Sequence, residues 1–196
     1  MAMTTAPALL ARLQNRSDAD AWKQLLDLYT PLLLRWVGRL GVSTNDADDL
    51  VQEVWQAVAR EMPDFNYDPN RGSFRGWLKS ILLNRVRDHR RRSKYRAVAV
   101  SDQFDALADL LADDASEASK QWDREHDRYI LTRLLDRVRD EFSSNTWKAF
   151  VQLAIAGHDA ETVAAELKIT ANAARIARCR VLARLREEAK TLGIDT

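Results

Sequence analysis

Apolar residues recur at helical spacing along most of the chain, and no useful length of apolar–polar alternation predicts a strand. Ser17 and Asp20 form a predicted capping box at the start of a first long helix. This helix is expected to end at Gly41, and Pro31 is expected to kink or split it. No internal repeat is present.

Two further amphipathic helices follow in the first half of the chain. One is expected to begin at Ser43 or Asn45 and to stop at Pro63. The other begins at Ser73 and continues into a run of arginines. The intervening residues are predicted to form a loop.

Residues 93–116 lose the helical period and become acidic, which predicts a linker. A second helical block begins near Glu117. Three shorter helices are expected after it, at about 145–156, 160–167 and 171–190. Asp159 is the predicted cap of the second and Thr170 of the third. The pattern predicts an all-α fold of two small helical domains joined by a flexible acidic linker, with boundaries at 1–96, 97–118 and 119–196.

Composition removes several functional classes. The 196 residues include one cysteine, Cys179, and three histidines, so we expect no disulfide framework and no metal site. No long apolar run or signal peptide is evident, which predicts a soluble, cytoplasmic protein without membrane insertion. Phosphate-binding, zinc-hydrolase and nucleophile-elbow motifs are absent from the sequence, so we expect no catalytic residues and no cofactor.

The net charge of +1 conceals a segregated pattern. Residues 71–96 carry 10 basic groups and 1 acidic group, whereas residues 101–127 carry 2 basic and 9 acidic groups. A basic stretch of this density is typical of a protein that binds a polyanion, although such a run also occurs on a merely solvated helix.

The last two predicted helices form a helix-turn-helix pattern with a tight break at Lys168–Ile169. The outer face of the second helix would carry polar and basic residues that suit base edges in a major groove, namely Asn172, Arg175, Cys179 and Arg180. Arg184 and Arg186 are placed to meet phosphates. A three-helix bundle with a basic surface is the alternative interpretation.

Two further patterns suggest partners. Phe65 and Tyr67 precede Arg71, Arg75 and Lys79, and aromatic faces interleaved with cations suit unstacked bases of a single strand. An acidic stripe on the second helix suits either a basic protein partner or solvent. Its members are Asp46, Asp49 and Glu53.

Two runs of the sequence resemble a known protein family. The run DADDLVQEVWQAVAREMPDF, followed by RGSFRGWLKSILLNRVRDHRRR, resembles region 2 of bacterial RNA polymerase sigma factors, particularly the extracytoplasmic-function (ECF) group of the sigma-70 family. The run VAAELKITANAARIARCRVLARLREE is similar to region 4 of that group. The resemblance implies a region 2 domain, a linker and a region 4 domain.

The resemblance also implies roles for named residues. Core polymerase would be bound through the clamp helices of its largest subunit and its flap region, with the clamp helices contacting Asp46, Asp48, Asp49, Gln52 and Glu53. Melted bases and phosphates of the −10 promoter element would be held by Phe65, Asn66, Tyr67, Arg71, Arg75, Lys79, Asn84, Arg85, Arg87, Arg90, Arg91 and Arg92. The −35 element would be read as duplex DNA by Thr170, Asn172, Arg175, Arg178, Cys179, Arg180 and Arg184.

The family commonly has glycine where Asn172 stands, and Ile176 and Cys179 replace polar or aromatic residues, so the −35 sequence cannot be copied from other members. An anti-sigma factor or another regulator is a further partner that the resemblance allows. The alternative function is a stand-alone helix-turn-helix transcriptional regulator, which would bind duplex DNA without polymerase.

Overall fold

The computed structural model describes residues 4–66, 74–94, 102–113 and 115–195. The described residues are overwhelmingly helical, which confirms the predicted all-α class. Packing divides the chain into two compact units, an N-terminal one that ends at Tyr129 and a C-terminal one that begins at Ile130.

The N-terminal unit is built mainly from three long helices, with shorter ones before and after them. Its elements are strand β1 (Thr4–Thr5) and helices α1 (Pro7–Leu13), α2 (Ala19–Arg39), α3 (Thr44–Glu61), α4 (Phe74–Lys94) and α5 (Asp102–Ala112). A 3₁₀ turn follows α3 at Met62–Asp64. Helix α6 (Glu117–Val138) contributes its residues up to Tyr129 to this unit.

Local signals set most helix ends. Asp18 caps α2 by accepting a hydrogen bond from the Ala21 amide at 3.0 Å, so the predicted cap at Ser17 is wrong by one residue. Pro31 lies inside α2 without splitting it. Gly41 adopts a φ of +74° just after α2, and Ser43 caps α3, as one of the two predicted alternatives.

The core of the N-terminal unit lies where α3 packs against α2 and α4. Each helix contributes an apolar stripe on one face, with the helical periodicity that predicted the helices. The stripes are Leu25, Leu32 and Leu33 on α2, Leu50 and Val54 on α3, and Leu78, Leu82 and Val86 on α4. Every one of these side chains is almost fully buried.

The first half of α6 completes this core. Trp122 is fully buried, and its ring centroid lies 5.1 Å from that of Trp36 on α2. His126 is also fully buried, with its ring 5.3 Å from that of Tyr29 on α2. The packing of two large rings fixes α6 against α2.

This packing differs from the predicted organisation. Residues 102–112, which were expected to be flexible, form α5 and bury Ala108 and Leu111. The residues of α6 up to Tyr129 pack in the N-terminal unit rather than beyond a boundary at 118. The acidic composition of these residues suggested a linker. Apolar residues at helical spacing within α5 nevertheless provide a buried stripe. The assignment of functional domains by residue range stays a prediction.

The C-terminal unit contains the remainder of α6, a 3₁₀ turn at Arg139–Glu141, helices α7 (Ser144–Phe150), α8 (Ala160–Leu167) and α9 (Ala171–Thr191), and strand β2 (Ile194–Asp195). A π-helical segment, Val151–Ile155, extends α7. The core consists mainly of small side chains, which let the helices approach closely: Ala149, Leu153, Ala160, Val163, Ala174 and Ala177.

A buried hydrogen-bond chain connects α4, α6 and α2. Arg75 Nη1 lies 3.0 Å from His126 Nδ1, and because arginine only donates, that ring nitrogen accepts. His126 Nε2 therefore carries the proton and donates to Tyr29 Oη at 3.1 Å. The Tyr29 hydroxyl also shares a hydrogen bond with Thr5 Oγ1 at 2.5 Å.

Burial shifts the pKa values of the His126 and Tyr29 side chains in this hydrogen-bond chain. Desolvation lowers the pKa of His126 below its ordinary value of 6.5, and the nearby Arg75 charge acts in the same direction, while the Asp127 carboxylate opposes both because it stabilises the protonated ring. Desolvation also raises the pKa of Tyr29 to about 12. Both rings are therefore neutral near pH 7 in the folded protein.

We expect the free energy of unfolding to decrease as the pH falls from 7 to 5. Unfolded His126 takes up a proton near pH 6.5, whereas the buried neutral ring does so only at lower pH, so protonation favours the unfolded state. The contribution cannot exceed the one-proton slope of about 1.4 kcal/mol per pH unit. Urea unfolding at several pH values measures this dependence.

The variant His126→Gln removes this titration and should flatten the dependence between pH 7 and 5. Asp127 does not interfere, because its pKa is lowered below 3.8 and its effect on stability begins under this window. Identical slopes for the variant and the wild type would contradict the assignment of a neutral, buried His126.

Candidate nucleic-acid interface

Helix α4 concentrates positive charge along its second half. Asn84, Arg91 and Arg92 are exposed, whereas Arg85 and Arg87 are half-buried. Several of these cations are matched by nearby acidic groups. Arg91 Nη2 donates to Asp88 at 2.6 Å, and Arg85 Nη1 lies 3.6 Å from the same carboxylate. Such exposed pairs are weak, so these cations can exchange partners.

Arg90 differs from its neighbours, because it contacts the end of another helix. Its Nη2 donates to the carbonyl oxygen of Leu40 at 2.9 Å. That carbonyl belongs to the C-terminal cap of α2, where the last carbonyls of a helix lack intrahelical partners. The sequence assigned Arg90 to DNA, and the structure gives it a role in joining α4 to α2.

Arg75 and Lys79 are the largest departure from the sequence expectation. Both were predicted to bind the −10 DNA, and both are buried, with exposed fractions of 7% and 5%. Arg75 Nη1 donates to Asp127 at 2.7 Å, and Arg75 Nε forms an ion pair with Asp123 at 2.9 Å. Lys79 Nζ donates to Ser119 Oγ at 2.6 Å. In this structure helix α6 covers both cations.

No local sequence pattern predicts these partners on α6. Asp123, His126 and Asp127 lie on α6 about 50 residues after Arg75, so no local spacing links them to it. The available signal was the charge complementarity between residues 71–96 and 101–127. A dense basic stretch next to a dense acidic one predicts pairing within the chain as readily as binding to a polyanion.

An aromatic cluster precedes and begins α4. The Phe65 ring centroid lies 4.5 Å from that of Trp77 and 5.9 Å from that of Phe74. Phe74 is buried, while Phe65 and Trp77 are half-buried and Asn66 is exposed. The cluster therefore presents two partly accessible rings beside a polar amide. Tyr67 and Arg71 lie outside the described residues.

The predicted polymerase-binding set lies on α3. Asp48, Asp49 and Gln52 are exposed and share one face of this helix, because Gln52 lies four residues after Asp48 and three after Asp49. Glu53 accepts two hydrogen bonds from Arg92 of α4, at 2.9 and 2.7 Å. Asp46 accepts a hydrogen bond from Ser43 Oγ at 2.7 Å and lies 3.8 Å from His89 Nε2. Only part of the acidic stripe is therefore directed wholly to solvent.

The described C-terminal unit contains the expected helix-turn-helix. Asp159 caps α8, Lys168 turns the chain with a φ of +54°, and Thr170 caps α9 by accepting from the Ala173 amide at 3.1 Å. The Thr170 hydroxyl thus has a structural role in addition to its predicted contact with DNA.

The outer face of α9 is only partly available for DNA. Asn172, Arg178, Cys179 and Arg180 are exposed, as is Ile176, which the site prediction omitted. Two predicted residues already have acidic partners. Arg175 donates to Glu161 at 2.6 Å. Arg184 donates to Glu141 at 2.7 and 2.8 Å and to Glu188 at 3.0 Å.

Within the described ranges, no group of three or more His, Cys, Asp or Glu side chains is arranged to hold a metal ion. None of the helices there combines the length and the apolar character that spanning a bilayer requires.

Comparisons with known proteins match the part of the chain that contains the basic helix α4 and the acidic helix α3. Residues 25–96, which include these helices, match the family model for Sigma-70 region 2. A 104-residue stretch is 31% identical to the ECF RNA polymerase sigma factor SigE of Mycolicibacterium smegmatis, over 53% of this chain and 39% of that protein. An 82-residue stretch is 37% identical to the RNA polymerase sigma factor NccH of Alcaligenes xylosoxydans xylosoxydans, over 42% of each chain.

Among solved structures, CnrH in complex with the cytosolic domain of CnrY aligns with 94% of this chain and 96% of its own, at 24% identity and a TM-score of 0.37. The matched part spans about two-fifths of the length of the curated relatives SigE and NccH. Residues 25–96 thus match Sigma-70 region 2, and the chain is similar over about half of its length to ECF RNA polymerase sigma factors.

Proposed function

We propose that this protein binds core RNA polymerase and directs it to specific promoters, without a catalytic step of its own. The observation that carries the proposal is the match of residues 25–96 to Sigma-70 region 2, because these residues fold into an exposed acidic helix packed against a basic one. One surface then suits a protein partner, and its neighbour suits nucleic acid.

The polymerase contact is assigned to the exposed face of α3. Asp48, Asp49 and Gln52 project from one side of a helix whose opposite side is fixed in the core by Leu50 and Val54. A rigid acidic face of this kind complements a basic surface and steers association. The proposed partner is the clamp-helix region of the largest subunit, and the C-terminal unit is proposed to meet the flap.

The −10 element is assigned to α4 and the aromatic cluster before it. Trapping an unstacked base offsets the few kcal/mol that unstacking costs. Phe65 and Trp77 supply partly exposed rings for stacking, and Asn66 and Asn84 supply exposed amides for base edges. The exposed guanidinium groups of Arg91 and Arg92 are suited to phosphates.

The −35 element is assigned to the outer face of α9. Asn172, Cys179 and Arg180 are exposed along that face, and the α8–α9 pair has the short turn of a helix-turn-helix. Arg178 is suited to the backbone. Because Arg175 and Arg184 are engaged by Glu161 and Glu141, their contribution to DNA binding requires exchange of these ion pairs.

The stand-alone regulator is the second candidate, favoured by the helix-turn-helix alone. The two functions differ in what DNA binding requires. At physiological salt, we expect double-stranded promoter fragments with an unpaired −10 segment to bind the protein tightly only with core polymerase present, in a mobility-shift assay with upstream fragments of its own genome. Tight binding to fully paired duplex by the protein alone, as a dimer, would instead establish the regulator.

Charge reversal on α3 tests the partner assignment. Asp49→Lys is expected to weaken binding to bacterial core polymerase at least about tenfold, because a lysine on the acidic face repels the proposed basic partner. The matched control is Asp27→Lys, the same change at an exposed position of α2. The affinity is measured by surface plasmon resonance on immobilised core polymerase. Circular dichroism checks that each variant keeps its fold. Equal affinity of Asp49→Lys and the wild type would refute the assignment.

A further inference from the structure

We propose that an acidic segment, formed by α5 and the residues of α6 up to Tyr129, is an intramolecular cover of the nucleic-acid face of α4. This inference rests on the proposed function of α4. The segment engages Arg75, Lys79 and Arg87, which are three of the side chains expected to hold DNA. In the free protein the cover occupies them, and promoter DNA requires it to leave.

The contact with Arg75 is the centre of the cover. Its guanidinium is buried between the carboxylates of Asp123 and Asp127, at 2.9 and 2.7 Å. A buried charge is tolerated only while it is paired, so Arg75 depends on these two groups. A carboxylate presents two oxygens to arginine much as a phosphate does, and the same guanidinium can therefore accept either partner.

The contact with Lys79 has a different chemistry. Its ammonium donates to the hydroxyl of Ser119, which is itself buried, at 2.6 Å. A hydroxyl is a neutral acceptor, and an anionic oxygen binds an ammonium group more strongly. A phosphate is therefore a stronger acceptor for Lys79 than the Ser119 hydroxyl.

The outer edge of the cover is weaker. Arg87 Nη2 donates to Asp109 at 2.9 Å, and the Asp109 side chain is 77% exposed. Exposed ion pairs contribute little to stability and are screened by salt. Among the described side chains of helix α5, Ala108 and Leu111 are buried and help to hold it. The cover therefore combines a weak exposed edge with a firmly held centre.

The direct test removes the central negative charges. The double variant Asp123→Asn/Asp127→Asn should uncover α4 and bind a fluorescein-labelled single-stranded 20-mer at least about tenfold more tightly than the wild type, because the competing carboxylates are gone. Fluorescence anisotropy of the full-length protein alone, at low salt, measures the affinity. The control Asp136→Asn/Asp140→Asn makes the same charge change at exposed positions outside the segment, and should match the wild type.

A second variant acts in the opposite direction. Ser119→Asp places a carboxylate beside Lys79, strengthens the cover and should weaken binding of the same oligonucleotide severalfold. It keeps the proposal testable if the first variant loses its native circular dichroism. Unchanged affinity in a folded double variant, or unchanged or tighter binding by Ser119→Asp, would overturn the proposal.

Polymerase binding separates this proposal from the proposed function. The double variant leaves α3 unaltered and should bind core polymerase as the wild type does. Failure of the wild type to bind core polymerase would contradict the proposed function, whereas the difference in oligonucleotide affinity between the variants would still decide whether the segment covers α4.

Discussion

The buried guanidinium of Arg75 is the interaction on which the N-terminal unit depends. It joins α4 to α6 through Asp123 and Asp127, and through His126 it reaches Tyr29 on α2. Hydrophobic packing of Trp122 against Trp36 supplies the contact area, but the ion pairs select which face of α6 is buried. A buried arginine without its carboxylates would destabilise the unit strongly, so α6 and α4 are constrained together.

An element could be predicted from the sequence when the residues that determine it lie close together along the chain. Helices α3, α8 and α9 were predicted closely because their caps and apolar stripes are local. The packing of α6 in the N-terminal unit and the helical structure of α5 were not predicted. Their acidic residues are as typical of a linker as of a segment that pairs with the basic α4. The exposed residues of α3 and α9 were anticipated, whereas burial of Arg75 and Lys79 depends on side chains 40 to 52 residues away.

The segregation of charge along the chain links the fold to the proposed function. A near-neutral protein carries a strongly basic α4 and an acidic segment that neutralises it internally. Non-specific polyanions then meet a surface whose cations are already partly satisfied, while the acidic face of α3 stays available to a protein partner. In this account, specificity arises because DNA must displace an internal competitor after polymerase is bound.

Hydrogen exchange of the backbone amides in residues 117–129 tests this account most directly. The rates are compared between the free protein and its complex with core polymerase and a promoter fragment whose −10 segment is unpaired. Displacement of the cover predicts slow exchange in the free protein and clearly faster exchange in the complex. Equally slow exchange in both, with the promoter bound, would contradict it, because α4 would then bind DNA without losing its internal partner.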